Sequence, residues 1–216
     1  MKIKNAFLTL IIINIIAFIL QQTIPGFTEA FMLLSKDIFV RPWILLTSMF
    51  LHGNSSHLIF NMYALFIFGP LIEQRIGSKR FITIYIISGL AASFVSSFFY
   101  PAALGASGAI MGILALVIIF LPHLKVLFLF FIPMTMRTAG IIFAIIDLLG
   151  ALGIGIPGIA NIAHLVGLGC GLVYGVHIYK KKKAFNREFT ANSGKKGKNM
   201  ELSQDKINEY LKYGRL

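Results

Sequence analysis

The chain has 216 residues, of which 57% are hydrophobic and only 13% charged, and its mean hydropathy is +0.81. That balance excludes an ordinary soluble domain, in which about a quarter of residues are charged, and predicts a polytopic membrane protein. The net charge of +12 does not read as nucleic-acid binding, because no groove-reading or base-stacking motif accompanies it.

A membrane span takes about 20 apolar residues, so about six fit once loops and a polar tail are set aside. The first is expected over residues 6–23. Lys2 and Lys4 ahead of this apolar run resemble a signal peptide. Gln21-Gln22-Thr23-Ile24-Pro25 offers no small-residue cleavage site, however, so a retained first helix is expected. Residues 25–56 mix Glu29, Lys36, Asp37 and Arg41 with Phe31-Met32-Leu33-Leu34 and Trp43-Ile44-Leu45-Leu46. They read as a structured loop in the membrane interface, anchored by Trp43.

The second span is expected at about 57–73 and the third at about 81–99. The fourth begins near Ser107 and ends before Pro122. Residues 122–136, broken by Pro133, read as a loop hugging the membrane. The fifth span covers about 138–152. A glycine-rich connection, Gly153-Ile154-Gly155-Ile156-Pro157-Gly158, leads to the sixth at about 159–179. The membrane domain is therefore expected over residues 1–183 and a basic tail over 184–216, with 184–200 disordered and 201–213 a short surface helix.

Six spans put both termini on one side. Of the 20 Lys and Arg, only Lys36 and Arg41 then fall in the opposite loops. By the positive-inside rule both termini are cytoplasmic, and the lysines after the last span meet anionic lipid. The lysine-rich tail suits a prokaryotic cell membrane. Ser107 and His164, near the starts of the fourth and sixth spans, share one outer depth.

A hydroxyl and an imidazole at that depth are costly without partners. Ser107, in Gly105-Ala106-Ser107-Gly108, can serve as a nucleophile if His164 takes its proton. No acid lies near His164 in sequence, so a dyad is the economical reading. Gly105, Gly108 and Gly112 on one helix and Gly167 and Gly171 on the other allow close backbone approach. The plain alternative is a tight helix pair whose serine and histidine merely satisfy local partners. His57 and Asn61, four apart, share a helix face. With the Ser107 N–H at a helix start they make three donors suited to an oxyanion. His52, His57 and His164 could instead bind a metal, but no carboxylate or cysteine completes a familiar spacing.

The ordered segments Thr47-Ser48-Met49-Phe50-Leu51-His52, His57-Leu58-Ile59-Phe60-Asn61-Met62, Gly105-Ala106-Ser107-Gly108 and Ala163-His164-Leu165-Val166-Gly167 resemble the rhomboid intramembrane serine proteases. The resemblance implies an all-α bundle of six transmembrane helices that cleaves transmembrane segments of membrane proteins, without a cofactor. It implies Ser107 as nucleophile and His164 as base, with His57, Asn61 and the Ser107 N–H around the oxyanion. It gives His52 a supporting role in the polar pocket and its water. Gly105, Gly108, Gly167 and Gly171 match small positions, and Glu73 with Arg75 matches an acidic–basic pair. Met111 stands where many members carry tyrosine under the histidine, and Trp43 is followed by Ile44 where the family often has arginine. A non-catalytic rhomboid-like binder of membrane clients is the main alternative, and a small transporter a further one. Asp147, in the fifth span, is expected to bond loop backbone. Asn161 is expected to support its loop, His123 and His177 to be interfacial, and Cys170 to be a packing residue.

Overall fold

The computed structural model describes residues 5–128 and 131–193. The chain opens with α1 (Ala6–Thr23), followed by a compact loop holding α2 (Phe27–Phe31), β1 (Leu33–Leu34), a 3₁₀ turn (Ser35–Asp37), α3 (Ile44–Thr47) and a second 3₁₀ turn (Ser48–Phe50). Then come α4 (Ser55–Ile76), α5 (Ser78–Ser96), β2 (Ala102–Ala103) and α6 (Ser107–Phe120). A hairpin of β3 (Lys125–Phe128) and β4 (Ile132–Thr135) leads to α7 (Met136–Ala151) and α8 (Asn161–Ser193).

The chain is a polytopic, mostly helical membrane protein. Among the described residues four helices are long and apolar enough to cross a bilayer: α1, α4, α5 and residues Asn161–Lys181 of α8. Helices α6 and α7 are shorter, at 14 and 16 residues. The 14 residues of α6 rise about 21 Å at 1.5 Å per residue, short of the ~30 Å of a hydrocarbon core. Every residue from Gly108 to Val117 is buried, however, so α6 is the central helix, packed between α5 and α8 and screened from lipid. A helix that is apolar all round belongs in such a place. The peripheral helices turn large apolar residues outward, among them Ile12, Ile16 and Ile19 on α1 and Phe60 and Phe66 on α4.

Local chemistry sets the helix ends. The Asn54 side chain accepts from the His57 N–H at 2.8 Å, which starts α4 two residues before the expected position. Gly77, at φ 80°, separates α4 from α5. Glu73 takes a place the sequence did not reveal. Its carboxylate accepts from the backbone N–H of Ala6 at 2.8 Å and of Phe7 at 3.0 Å, and so caps α1 from α4. Arg75 donates to the Leu71 carbonyl at 2.8 Å, so both residues of the acidic–basic match make structural hydrogen bonds.

Three further expectations change. Within residues 122–136, β3 and β4 pair antiparallel where a plain loop was expected, with Lys125 opposite Thr135 and Leu127 opposite Pro133. Proline is tolerated because a two-stranded ribbon has only edges. The last helix runs on to Ser193, past the expected end near 179, because Lys180–Lys183 and Ala184 are good helix formers with no breaker among them. The expected disorder at 184–193 is therefore not observed. The surface helix expected at 201–213 lies outside the described residues.

The 25–56 loop is structured, as expected. Leu33, Ile38 and Ile44 form its own small core. Arg41 pairs with Asp37 and donates to the Glu29 carbonyl at 3.2 Å, which gives the loop a local polar tie. Its β1 pairs antiparallel with β2, and Ser35 N–H donates to the Pro101 carbonyl at 3.0 Å. That joins the loop to the segment leading into Ser107.

Candidate active site

Ser107 is the first residue of α6, and His164 lies in the first turn of α8. Their side chains meet: His164 Nε2 is 2.8 Å from Ser107 Oγ. The approach depends on glycine. A Cβ at Gly167 would sit 1.9 Å from the Gly108 carbonyl oxygen, and one at Gly171 would sit 2.2 Å from that of Gly112. Gly108 in turn faces the Ala92 methyl of α5. Met111, one turn below Ser107, is buried in the main core.

The turn before Ser107 is equally constrained. Gly105 has φ +134°, a conformation that L side chains rarely adopt. Its N–H donates to the Ser48 carbonyl at 2.9 Å, which fixes the turn against the first loop. The point where its Cβ would stand is 2.9 Å from His57 Nε2 and 3.7 Å from Ser107 Oγ. His57 and the serine hydroxyl therefore converge on one small volume. The N–H groups of Ser107, Gly108 and Ala109 open α6 and have no carbonyl one turn back, so they point a positive dipole end at the same place.

Asn61 is buried one turn after His57, and its side-chain N–H donates to the His57 carbonyl at 2.9 Å. This leaves the second amide hydrogen for another acceptor. His52 is 1% exposed and packs edge-on against His57 at 5.0 Å between ring centroids. Burial, and after it the neighbouring His57, lower its pKa from 6.5 to about 4, so its imidazole is neutral. Its backbone is held on both sides by Gln21 of α1, whose Oε1 accepts from His52 N–H at 2.9 Å and whose Nε2 donates to His52 O at 3.2 Å.

Gln21 is a site residue that was not expected from the sequence. Its signal was a polar pair closing an otherwise apolar span. Asp147 also departs from its expected place. This residue is 5% exposed and does not bond loop backbone as expected; its Oδ1 is 2.9 Å from His164 Nδ1. Distance along the chain hid the acid, since Asp147 precedes His164 by 17 positions, across a glycine-rich loop. Asn161 follows its expected local role, donating to the Ile159 carbonyl at 3.1 Å. Tyr100 Oη accepts from the Ile162 N–H at 3.2 Å and helps cap α8. Among the described residues no three His, Cys, Asp or Glu side chains converge as a metal would require.

Beside Ser107 lies a cavity of about 30 Å³, lined in part by Ser48, Ser93, Ser96, Gly105 and Ala160. It has room for a water or two and none for a peptide. The Ser96 hydroxyl on its wall has no protein partner. Chemically the arrangement offers a hydroxyl bonded to an imidazole, N–H donors at the helix start next to it, and a small space walled in part by serines.

The Rhomboid domain family model matches residues 40–181. The chain is 42% identical over 131 residues to the rhomboid protease GluP of Bacillus subtilis, covering 58% of this chain and 24% of that protein. It is 32% identical over 153 residues to the mitochondrial RHOMBOID-like protein 6 of Arabidopsis thaliana, covering 70% and 48%. It is also 33% identical over 168 residues to the mitochondrial presenilin-associated rhomboid-like protein of Bos taurus, covering 71% and 44%. The chain thus spans 24–48% of the length of these relatives. Two of the three carry mitochondrial names, so they lend no support to the expected prokaryotic cell membrane; a multi-pass membrane location is what stands.

Proposed function

The chain belongs to the rhomboid family, and on that premise we propose that it is an intramembrane serine endopeptidase cleaving transmembrane segments of other membrane proteins. The observation that carries this reading is the 2.8 Å contact between His164 Nε2 and Ser107 Oγ at the start of two tightly packed helices. In the proposed bundle α6 and α7 complete six spans, with both termini cytoplasmic, as the sorting of Lys and Arg favours.

Ser107 Oγ attacks the scissile carbonyl carbon while His164 Nε2 takes its proton. The oxyanion is met by the Ser107 N–H, His57 and Asn61. The tetrahedral intermediate collapses, the C–N bond breaks, and His164 returns the proton to the leaving amine. Water then attacks the acyl-enzyme with His164 again as base, and the proton passes back to Ser107 as the ester breaks.

A substrate helix must unwind locally to offer its carbonyl, because helical amides are bonded internally. The 30 Å³ cavity requires something to move before a peptide fits. Helix α7 is the natural gate: its buried residues are only Met136, Ala139, Gly140 and Asp147.

The test uses purified protein in liposomes with a labelled single-span substrate, alongside fluorophosphonate labelling. Cleavage and labelling should both vanish in Ser107→Ala, and cleavage should vanish in His164→Ala. Folded wild-type protein that neither cleaves nor labels across several substrates would transfer the chain to the client-binding reading.

A further inference from the structure

The geometry points to Asp147 as a positioning residue for the His164 base: its carboxylate accepts the Nδ1–H, which leaves Nε2 as the proton acceptor for Ser107. This rests on the protease reading above.

An uncoordinated imidazole has two tautomers, and only the one protonated at Nδ1 can take the serine proton at Nε2. Two contacts select it here. Asp147 Oδ1 lies 2.9 Å from Nδ1 and Ser107 Oγ lies 2.8 Å from Nε2, on opposite edges of one ring. When Nε2 gains the proton, the same carboxylate faces the new imidazolium charge.

The placement of Asp147 on α7 carries the argument further. The residues around it, Ile145, Ile146, Leu148 and Leu149, are 40–53% exposed, whereas Asp147 is 5% exposed. The helix thus turns its acid inward and its apolar side chains outward. Burying a carboxylate is costly unless a partner compensates. An apolar residue would anchor α7 without that cost.

A second contact keeps the register. A Cβ at Gly150 would stand 2.4 Å from the Asn161 amide, so Gly150 admits Asn161 at close range. Gly150 follows Asp147 by three residues and Asn161 precedes His164 by three. The two antiparallel helices therefore meet on adjacent rungs, one of glycine against amide and one of carboxylate against imidazole.

The experiment compares wild type, Asp147→Asn and Asp147→Ala in liposomes over a range of substrate densities, with Ser107→Ala as blank. The tautomer of His164 is read by ¹⁵N NMR of histidine-labelled protein, its signals identified by their loss in His164→Ala. Expected are an Nδ1–H tautomer in wild type and its loss in both variants. The kcat should fall about 10²-fold, as for removal of a general-base function, with KM within about twofold. An anchor of α7 alone would lower the unfolding midpoint without that split.

Wild type no more active than Ser107→Ala would overturn the protease reading and this inference together. An active wild type with Asp147 variants within twofold in kcat would overturn this inference alone. So would an Nε2–H tautomer at His164 in wild type, whether or not the variants fold.

Discussion

Gly167 of α8 lies so close to Gly108 of α6 that a Cβ on it would stand 1.9 Å from the Gly108 carbonyl oxygen. Backbone cannot yield as a flexible side chain can. Gly167→Ala must push the helices apart, and His164, one turn earlier, moves away from Ser107. The expected result is a loss of about 1–3 kcal/mol of stability, as for other overpacked sites. Cleavage should fall by more than the stability change explains. Thermal unfolding in detergent and initial cleavage rates on the same preparation check both.

Gly105→Ala addresses the turn instead of the helix contact. The substitution meets a φ of +134° and a His57 Cε1 atom 2.7 Å from the new Cβ. A displacement of about 1 Å at a reacting group can cost 10²-fold in rate. Cleavage should therefore drop by about that factor, with helical content retained by circular dichroism. Wild-type rates in Gly105→Ala would mean that His57 and Ser107 need not converge there.

His57→Ala and Asn61→Ala test the oxyanion assignment separately. Loss of one such donor costs about 10²–10³ in kcat elsewhere. A comparable fall in kcat with little change in KM is expected for each. Both donors would meet the same oxyanion, so the two effects should be less than additive. A fall of under tenfold for either residue would remove it from the oxyanion site.

Glu73→Ala should destabilise the protein without altering its chemistry. The carboxylate caps two orphan N–H groups of α1, so about 1–2 kcal/mol of stability is expected to go. The kcat of the folded fraction should match wild type. Unfolding curves and active-site titration separate the two quantities.

His52 predicts an acid-sensitive fold. Its pKa of about 4, against 6.5 when unfolded, means that the unfolded chain binds the proton first. Its contribution is full above pH 6.5 and is lost as pH falls from 6.5 towards 4. At 1.36 kcal/mol per pKa unit, the loss amounts to roughly 3 kcal/mol. His57 faces it directly and titrates in its own right, so the readout is the difference between wild type and His52→Phe. That difference should change across this window and stay flat above it.

Composition and period determined a good deal: a membrane protein, apolar helices close to their expected places, and a helix beginning at Ser107. Spacing paired His57 with Asn61 on one turn, and the small residues of α6 and α8 foretold their close contact. These are local properties, legible because a helix repeats every 3.6 residues and a bilayer demands apolar length. Tertiary structure decided what depends on residues far apart in the chain. It joined Glu73 to the start of α1, Gln21 to His52, and β1 to β2. It also turned Asp147 from a stray acid into the partner of His164. A carboxylate in an apolar helix signals only that something must compensate it. Which group does so is fixed when packing, with no periodic trace in sequence, brings two helices to one register.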